Sequence, residues 1–105
     1  MDMNTPLNTK KEDKSPIKRV HVFISGAVQG IFFRSFIQRK ALMLDINGWV
    51  RNTEDDKVEC VFEANQGRIQ SMLEYCRKGP DGAKVENISV KEEEVKGEKG
   101  FRIVY

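Results

Sequence analysis

The chain has 105 residues, with 18 Lys and Arg against 16 Asp and Glu and a formal charge of +2. That length supports one small domain with a single core, and the balanced charge excludes a broad electrostatic bias towards nucleic acid or a membrane surface. Apolar runs extend only a few residues, too short to span a bilayer, and the opening "MDMNTPLNTKKEDKSPIK" contains no apolar stretch of the secretory kind, so a cytoplasmic protein is expected.

Residues 1–18 mix Lys, Asp, Glu, Asn, Thr and Pro with few apolar side chains. Such a composition buries too little to offset the entropy of ordering, and a disordered tail is expected there, with the domain over 19–105. "RVHVFIS" places Val20, Val22 and Ile24 on one face and is rich in β-branched and aromatic residues, which predicts a strand closed by Gly26. After the loop, Phe33, Ile37, Ala41 and Leu44 recur at helical spacing, predicting a helix over 33–44. "INGWVRNT" alternates sides and "EDD" supplies a turn, so a hairpin leads into "KVECVFEA". That strand sets Val58, Cys60, Phe62 and Ala64 on one face against Glu59, Val61 and Glu63 on the other. Asn65 is a candidate N-cap for a second helix whose stripe is Ile69, Met72, Leu73 and Cys76 and which stops at Gly79-Pro80. "AKVENISVKEEEV" predicts a further strand with Glu92–Glu94 as a solvated edge, and "FRIVY" a short terminal one. Cys60 and Cys76 lack metal-ligand spacing and are expected to pack as thiols.

The order strand, helix, strand, strand, helix, strand, with an extra strand at the end, predicts an α+β ferredoxin-like βαββαβ sandwich with two helices on one face of an antiparallel sheet. A right-handed crossover makes the first two strands parallel with the third between them. The loop after the first strand and Asn52 at the end of the second therefore leave the sheet at the same edge.

That loop, "GAVQGIFFRS", runs into a helix N-terminus, where backbone N–H groups lack intrahelical partners and attract an anion. Gly26 and Gly30 let the chain curve, and Arg34 offers a planar fork for two oxygens. A cation in the first helical turn opposes the macrodipole, which an anion bound between them would relieve. The loop lacks the lysine followed by Ser or Thr of a nucleotide P-loop, so nucleoside triphosphates are disfavoured. Asn52 can donate and accept at once and so hold a water beside a phosphoryl group, but it cannot deprotonate one. His21, the one histidine, lies opposite the apolar face of its strand, and no carboxylates are grouped with His or Cys at ligand spacing, so neither a metal nor a general base is expected. An acyl phosphate suits this inventory: its leaving carboxylate has a conjugate acid of pKa about 4 and needs no acid catalyst, and phosphoryl transfer is governed by positioning and charge stabilisation.

With these residues in view, the sequence resembles the acylphosphatase family. "GAVQGIFFR" is similar to that family's phosphate loop with its terminal arginine, and "GWVRNT" followed by "VE" to its second signature with the asparagine. The likeness continues through "KGPDGAKVE" and the ending "FRIVY", covering about residues 19–105. It implies hydrolysis of carboxyl–phosphate anhydrides without metal or organic cofactor. Arg34 would bind phosphate, Asn52 would orient the attacking water, and backbone amides of Val28, Gln29, Gly30, Ile31, Phe32 and Phe33 would form the cradle. The partners expected are a small acyl phosphate and inorganic phosphate as product and inhibitor, with no nucleic acid or membrane partner, for a monomer. Asp45 and Asp56 stand where many members carry glycine, and aspartate tolerates left-handed geometry better than most residues. The alternative reading is an RNA-binding or small-ligand module of the same fold, against which Glu59 and Glu63 weigh by repelling phosphate.

Overall fold

The computed structural model describes residues 15–30 and 32–105. The chain runs β1 (Lys18–Ala27), α1 (Phe33–Met43), β2 (Asn47–Asn52), β3 (Val58–Ala64), α2 (Gln66–Lys78), β4 (Lys84–Glu93) and β5 (Phe101–Ile103). The five strands form one sheet in the order β4-β1-β3-β2-β5, the ferredoxin-like arrangement with an added edge strand. β1 begins at Lys18, which pairs with Ala64; otherwise the tail expected over 1–18 lies almost wholly outside the described residues.

The strands pair antiparallel except at one edge, where β5 runs parallel to β2. Within β1 the period of two carries Val20, Val22 and Ile24 into the core, opposite Phe62, Cys60 and Val58 of β3. α1 buries Phe33, Ile37 and Ala41, four residues apart each time, and α2 buries Ile69, Met72 and Cys76. Each of the larger side chains contributes about 1.5–3 kcal/mol by leaving water. Cys60 and Cys76 are free thiols inside this layer, and burial pushes both well above the ordinary thiol range. α2 follows Asn65 and stops at Gly79, as its sequence predicts, although Asn65 makes no side-chain capping bond.

The second face of β3, which carries Glu59, Val61 and Glu63 as its alternation predicts, is buried as well. All seven of its residues are buried, because side chains from neighbouring strands cover Glu59 and Glu63. Arg19 donates to Glu63 at 2.9 Å, Arg51 to Glu59 at 2.7 Å, and the His21 ring nitrogens lie 2.6 Å from Glu59 Oε2 and 2.8 Å from Glu93 Oε2. Glu93 therefore faces inward to Arg19 and His21, and the Glu92–Glu94 run is a solvated edge only at its two flanking members, which are exposed.

Candidate active site

The loop from β1 to α1 is shaped by two glycines and one strained phenylalanine. The pairing of β1 with β4 shifts register between Ser25 and Gly26 and continues to Ala27, opposite Lys84. Gly26 has φ 127°, and a Cβ there would lie 2.1 Å from the Lys84 carbonyl oxygen, so any other residue would push the two strands apart. Gly30 has φ 76° with open space around it; there the left-handed turn itself calls for glycine. Phe32, at the N-cap of α1, takes φ 62° and ψ 28°, a region that side chains with a Cβ enter at a cost.

At the start of α1 the backbone donors stand free. Phe36 N–H bonds the Phe32 carbonyl at 3.0 Å, closing the first helical turn, and α1 has neither a side-chain cap nor an acidic residue in that turn. The N–H groups of Phe32, Phe33, Arg34 and Ser35 consequently find no acceptor among the described residues, and neither do those of Gln29 and Gly30. Of the donors expected from the sequence, Val28 is already used inside the loop, bonding the Gly26 carbonyl at 3.0 Å. Ile31 lies outside the described residues.

Arg34 sits in this first turn, half-buried, with its guanidinium 4.9 Å from the centroid of the Tyr105 ring. No carboxylate pairs with it among the described residues. A cation at this end of a helix opposes the dipole, so Arg34 and the free amides together form a concentrated positive field that no anion among the described residues pairs with.

Asn52 reaches the same place from the other side. It ends β2, paired with Val58, and its Oδ1 is buried with no hydrogen-bond partner among the described residues. A buried unsatisfied amide oxygen is costly, of order 1–3 kcal/mol, and in native proteins usually marks a water or ligand position. The two halves are tied together by a side chain that the sequence reading treats only as backbone: Gln29 Nε2 donates to the carbonyls of Thr53 at 3.0 Å and Lys57 at 2.8 Å. The loop from β1 to α1 is thus clamped to the β2–β3 hairpin one residue beyond Asn52.

Arg34, Asn52 and Gly30 line a single cleft of about 200 Å³ together with Val28, Phe32, Phe33, Ser35, Ile103 and Tyr105, room for a phosphoryl group and a water of about 30 Å³. Ile103 and Tyr105 come from the C-terminal segment, where Val104 N–H bonds the Val50 carbonyl at 2.8 Å, and no sequence motif pointed to them. Elsewhere, no group of three or more His, Cys, Asp or Glu among the described residues is placed to hold a metal ion. His21 lies on the open sheet face, stacked on Phe23 with centroids 5.1 Å apart, among carboxylates that are engaged by Arg19 and Arg51.

A family model described as Acylphosphatase matches residues 20–103. An acylphosphatase of Syntrophus aciditrophicus is 46% identical over 90 residues, covering 85% of this chain and 94% of that protein. The chain belongs to the acylphosphatase family. A second relative named acylphosphatase, from Pyrobaculum aerophilum, is 49% identical over 88 residues, covering 82% of this chain and 93% of its own. The crystal structure of acylphosphatase from Bacillus subtilis superposes with a TM-score of 0.82 at 36% identity, over 84% of this chain and 99% of that one. In this acylphosphatase-family chain the two aspartates at usual glycine positions keep left-handed backbone, with φ 58° at Asp45 and 67° at Asp56. Both are exposed turn residues away from the cleft lining.

Proposed function

We propose that the cleft hydrolyses acyl phosphates, with the α1 amides and Arg34 holding the phosphoryl group and Asn52 orienting the attacking water. The observation that carries this reading is the meeting, in one cleft, of N–H groups, an arginine and a buried amide oxygen that have no acceptor, carboxylate or hydrogen-bond partner among the described residues. Each is unfavourable for the fold alone, and a tetrahedral anion with a water beside it would satisfy all three. Family membership supplies the substrate class.

In the proposed reaction the water oxygen forms the new bond to phosphorus as the bond from phosphorus to the acyl oxygen breaks. The electron pair leaves with the carboxylate, whose conjugate acid has a pKa of about 4 and requires no general acid. The water's proton passes to a phosphoryl oxygen, since Asn52 has no basicity. Arg34 and the amides stabilise charge on the phosphoryl oxygens in a fixed geometry, which needs no reorganisation as the reaction proceeds. Inorganic phosphate, which shares those oxygens, is proposed to inhibit competitively.

We extend the proposal to a monomer acting in the cytoplasm. The buried free thiols Cys60 and Cys76 accord with a reducing compartment, and no helix among the described residues is long and apolar enough to cross a membrane. The RNA-binding alternative is not favoured, because on the sheet face away from the helices Arg19, His21 and Arg51 are engaged by Glu63, Glu93 and Glu59 and are not free to meet phosphate. The purified protein is expected to hydrolyse benzoyl phosphate at undiminished rate in excess chelator; loss of activity in chelator would overturn the metal-free mechanism.

A further inference from the structure

The cleft grades from wet-excluding to open along its apolar lining. Val28 and Phe33 are 1% and 2% exposed, whereas Phe32 is 83% and Tyr105 94% exposed. Folding does not account for Phe32: its ring buries almost nothing, and its backbone sits at φ 62°, where glycine or asparagine would be less strained. A large apolar side chain held at the lip of an anion cradle, in a conformation it disfavours, is suited to contact a ligand. Tyr105 lines the same cleft with its ring 4.9 Å from the Arg34 guanidinium, and Ile103 joins it in the lining. Arg34 is the one charged residue of that lining among the described residues, and the proposed mechanism commits it to the phosphoryl group, so a second anionic group on the substrate would meet no cation of the described lining.

We infer that Phe32, with Tyr105 and Ile103, receives the acyl half of the substrate and gives the site a preference for acyl phosphates whose acyl group is neutral and apolar, aromatic ones above all. The inference rests on the hydrolysis proposed above. Phe32 contributes in two separable ways: its backbone N–H belongs to the cradle, and its ring stacks on or edges against the acyl group. An aromatic pair of this kind changes affinity by about threefold to tenfold.

The test compares benzoyl phosphate with acetyl phosphate, which carries the same phosphoryl group and almost no acyl surface. Phe32→Asn keeps a residue tolerant of left-handed backbone and removes the ring; Phe32→Tyr keeps the ring. The ratio of kcat/KM for benzoyl over acetyl phosphate is expected to fall about threefold to tenfold in Phe32→Asn, through a raised KM for benzoyl phosphate, and to be retained in Phe32→Tyr. Equal losses on both substrates, or an unchanged ratio in Phe32→Asn, would overturn the inference while leaving the hydrolase reading intact. A wild-type protein inactive on both substrates would overturn the hydrolase reading, and this inference with it.

Discussion

Two groups of backbone N–H donors in this molecule are arranged for an anion, and they differ in what they receive. At 96–98 the N–H groups of Lys96, Gly97 and Glu98 converge on the Glu63 carboxylate at 2.7, 3.1 and 2.8 Å. Arg19, 4% exposed, completes that cluster with bonds to Glu63, Glu93 and Glu98. At 32–35 the four donors that open α1 have no acceptor among the described residues, and the Arg34 guanidinium has no carboxylate among them either. The first cluster is closed by the chain's own anion and locks the 96–98 segment onto the end of β3. The second keeps the same chemistry unspent, and Asn52 Oδ1 beside it is likewise unpartnered. Satisfied polar groups hold the fold; the unsatisfied set, concentrated on one sheet edge, is what a substrate can engage.

Exchanging the roles of the two clusters is the way to break that comparison. Arg34→Ala removes the unspent cation and is expected to lower kcat/KM for benzoyl phosphate about a thousandfold or more, the scale of an arginine that stabilises a transferring phosphoryl group. Its melting temperature should stay at or slightly above wild type, since a cation leaves the positive end of α1. A large loss of stability with retained kcat/KM would place Arg34 with Arg19 instead. Glu63→Gln works in the opposite sense. It takes the charge from a buried carboxylate that accepts three N–H bonds and an arginine, and is expected to cost about 2–4 kcal/mol in denaturant unfolding, with kcat/KM for the folded protein unchanged.

A smaller effect distinguishes the clusters by pH. Burial raises the Glu63 pKa, but the N–H of Lys96, the Arg19 guanidinium and the N–H of Glu98 outweigh it and hold the carboxyl below its ordinary 4.5. Hydrogen bonds from His21 and Arg19 hold Glu93 below 4.5 as well. A carboxyl with a depressed folded-state pKa binds protons more readily when unfolded, so its stabilisation is complete above about 4.5 and is lost as pH falls towards the folded value. Wild-type stability should therefore decline on acidification below about pH 4.5, and Glu63→Gln should show a shallower decline. A Glu63→Gln curve parallel to wild type through that window would contradict the depressed carboxyl.

The sequence made half of this contrast legible. Arg34 and Asn52 could be brought together because strand order and crossover hand place the ends of β1 and β2 at one edge, and glycine spacing marked the loop between. Gln29 could not be read in the same way: its side chain bonds the backbone carbonyls of Thr53 and Lys57, which every residue type possesses. The Val28 N–H was lost to a bond within the loop that residue types do not announce. Ile103 and Tyr105 enter the cleft through a three-residue strand pairing parallel to β2, too short for periodicity to orient. The alternation of β3 correctly sided its residues, yet it could not show that Glu59 and Glu63 are buried, because their partners Arg51 and Arg19 lie on other strands. Local pattern reports faces; it does not report which charges meet across them.

The division of labour in the cleft is tested most directly by Asn52→Ala, measured for benzoyl phosphate turnover and for inhibition by inorganic phosphate in the same preparation. Binding by Arg34 and the α1 amides should survive, so the phosphate inhibition constant should stay within about twofold of wild type, while kcat falls by about a hundredfold or more as the water loses its positioning group. A variant with wild-type kcat would contradict the role of Asn52, and one whose phosphate inhibition weakened in step with kcat would contradict the separation of anion cradle from water site.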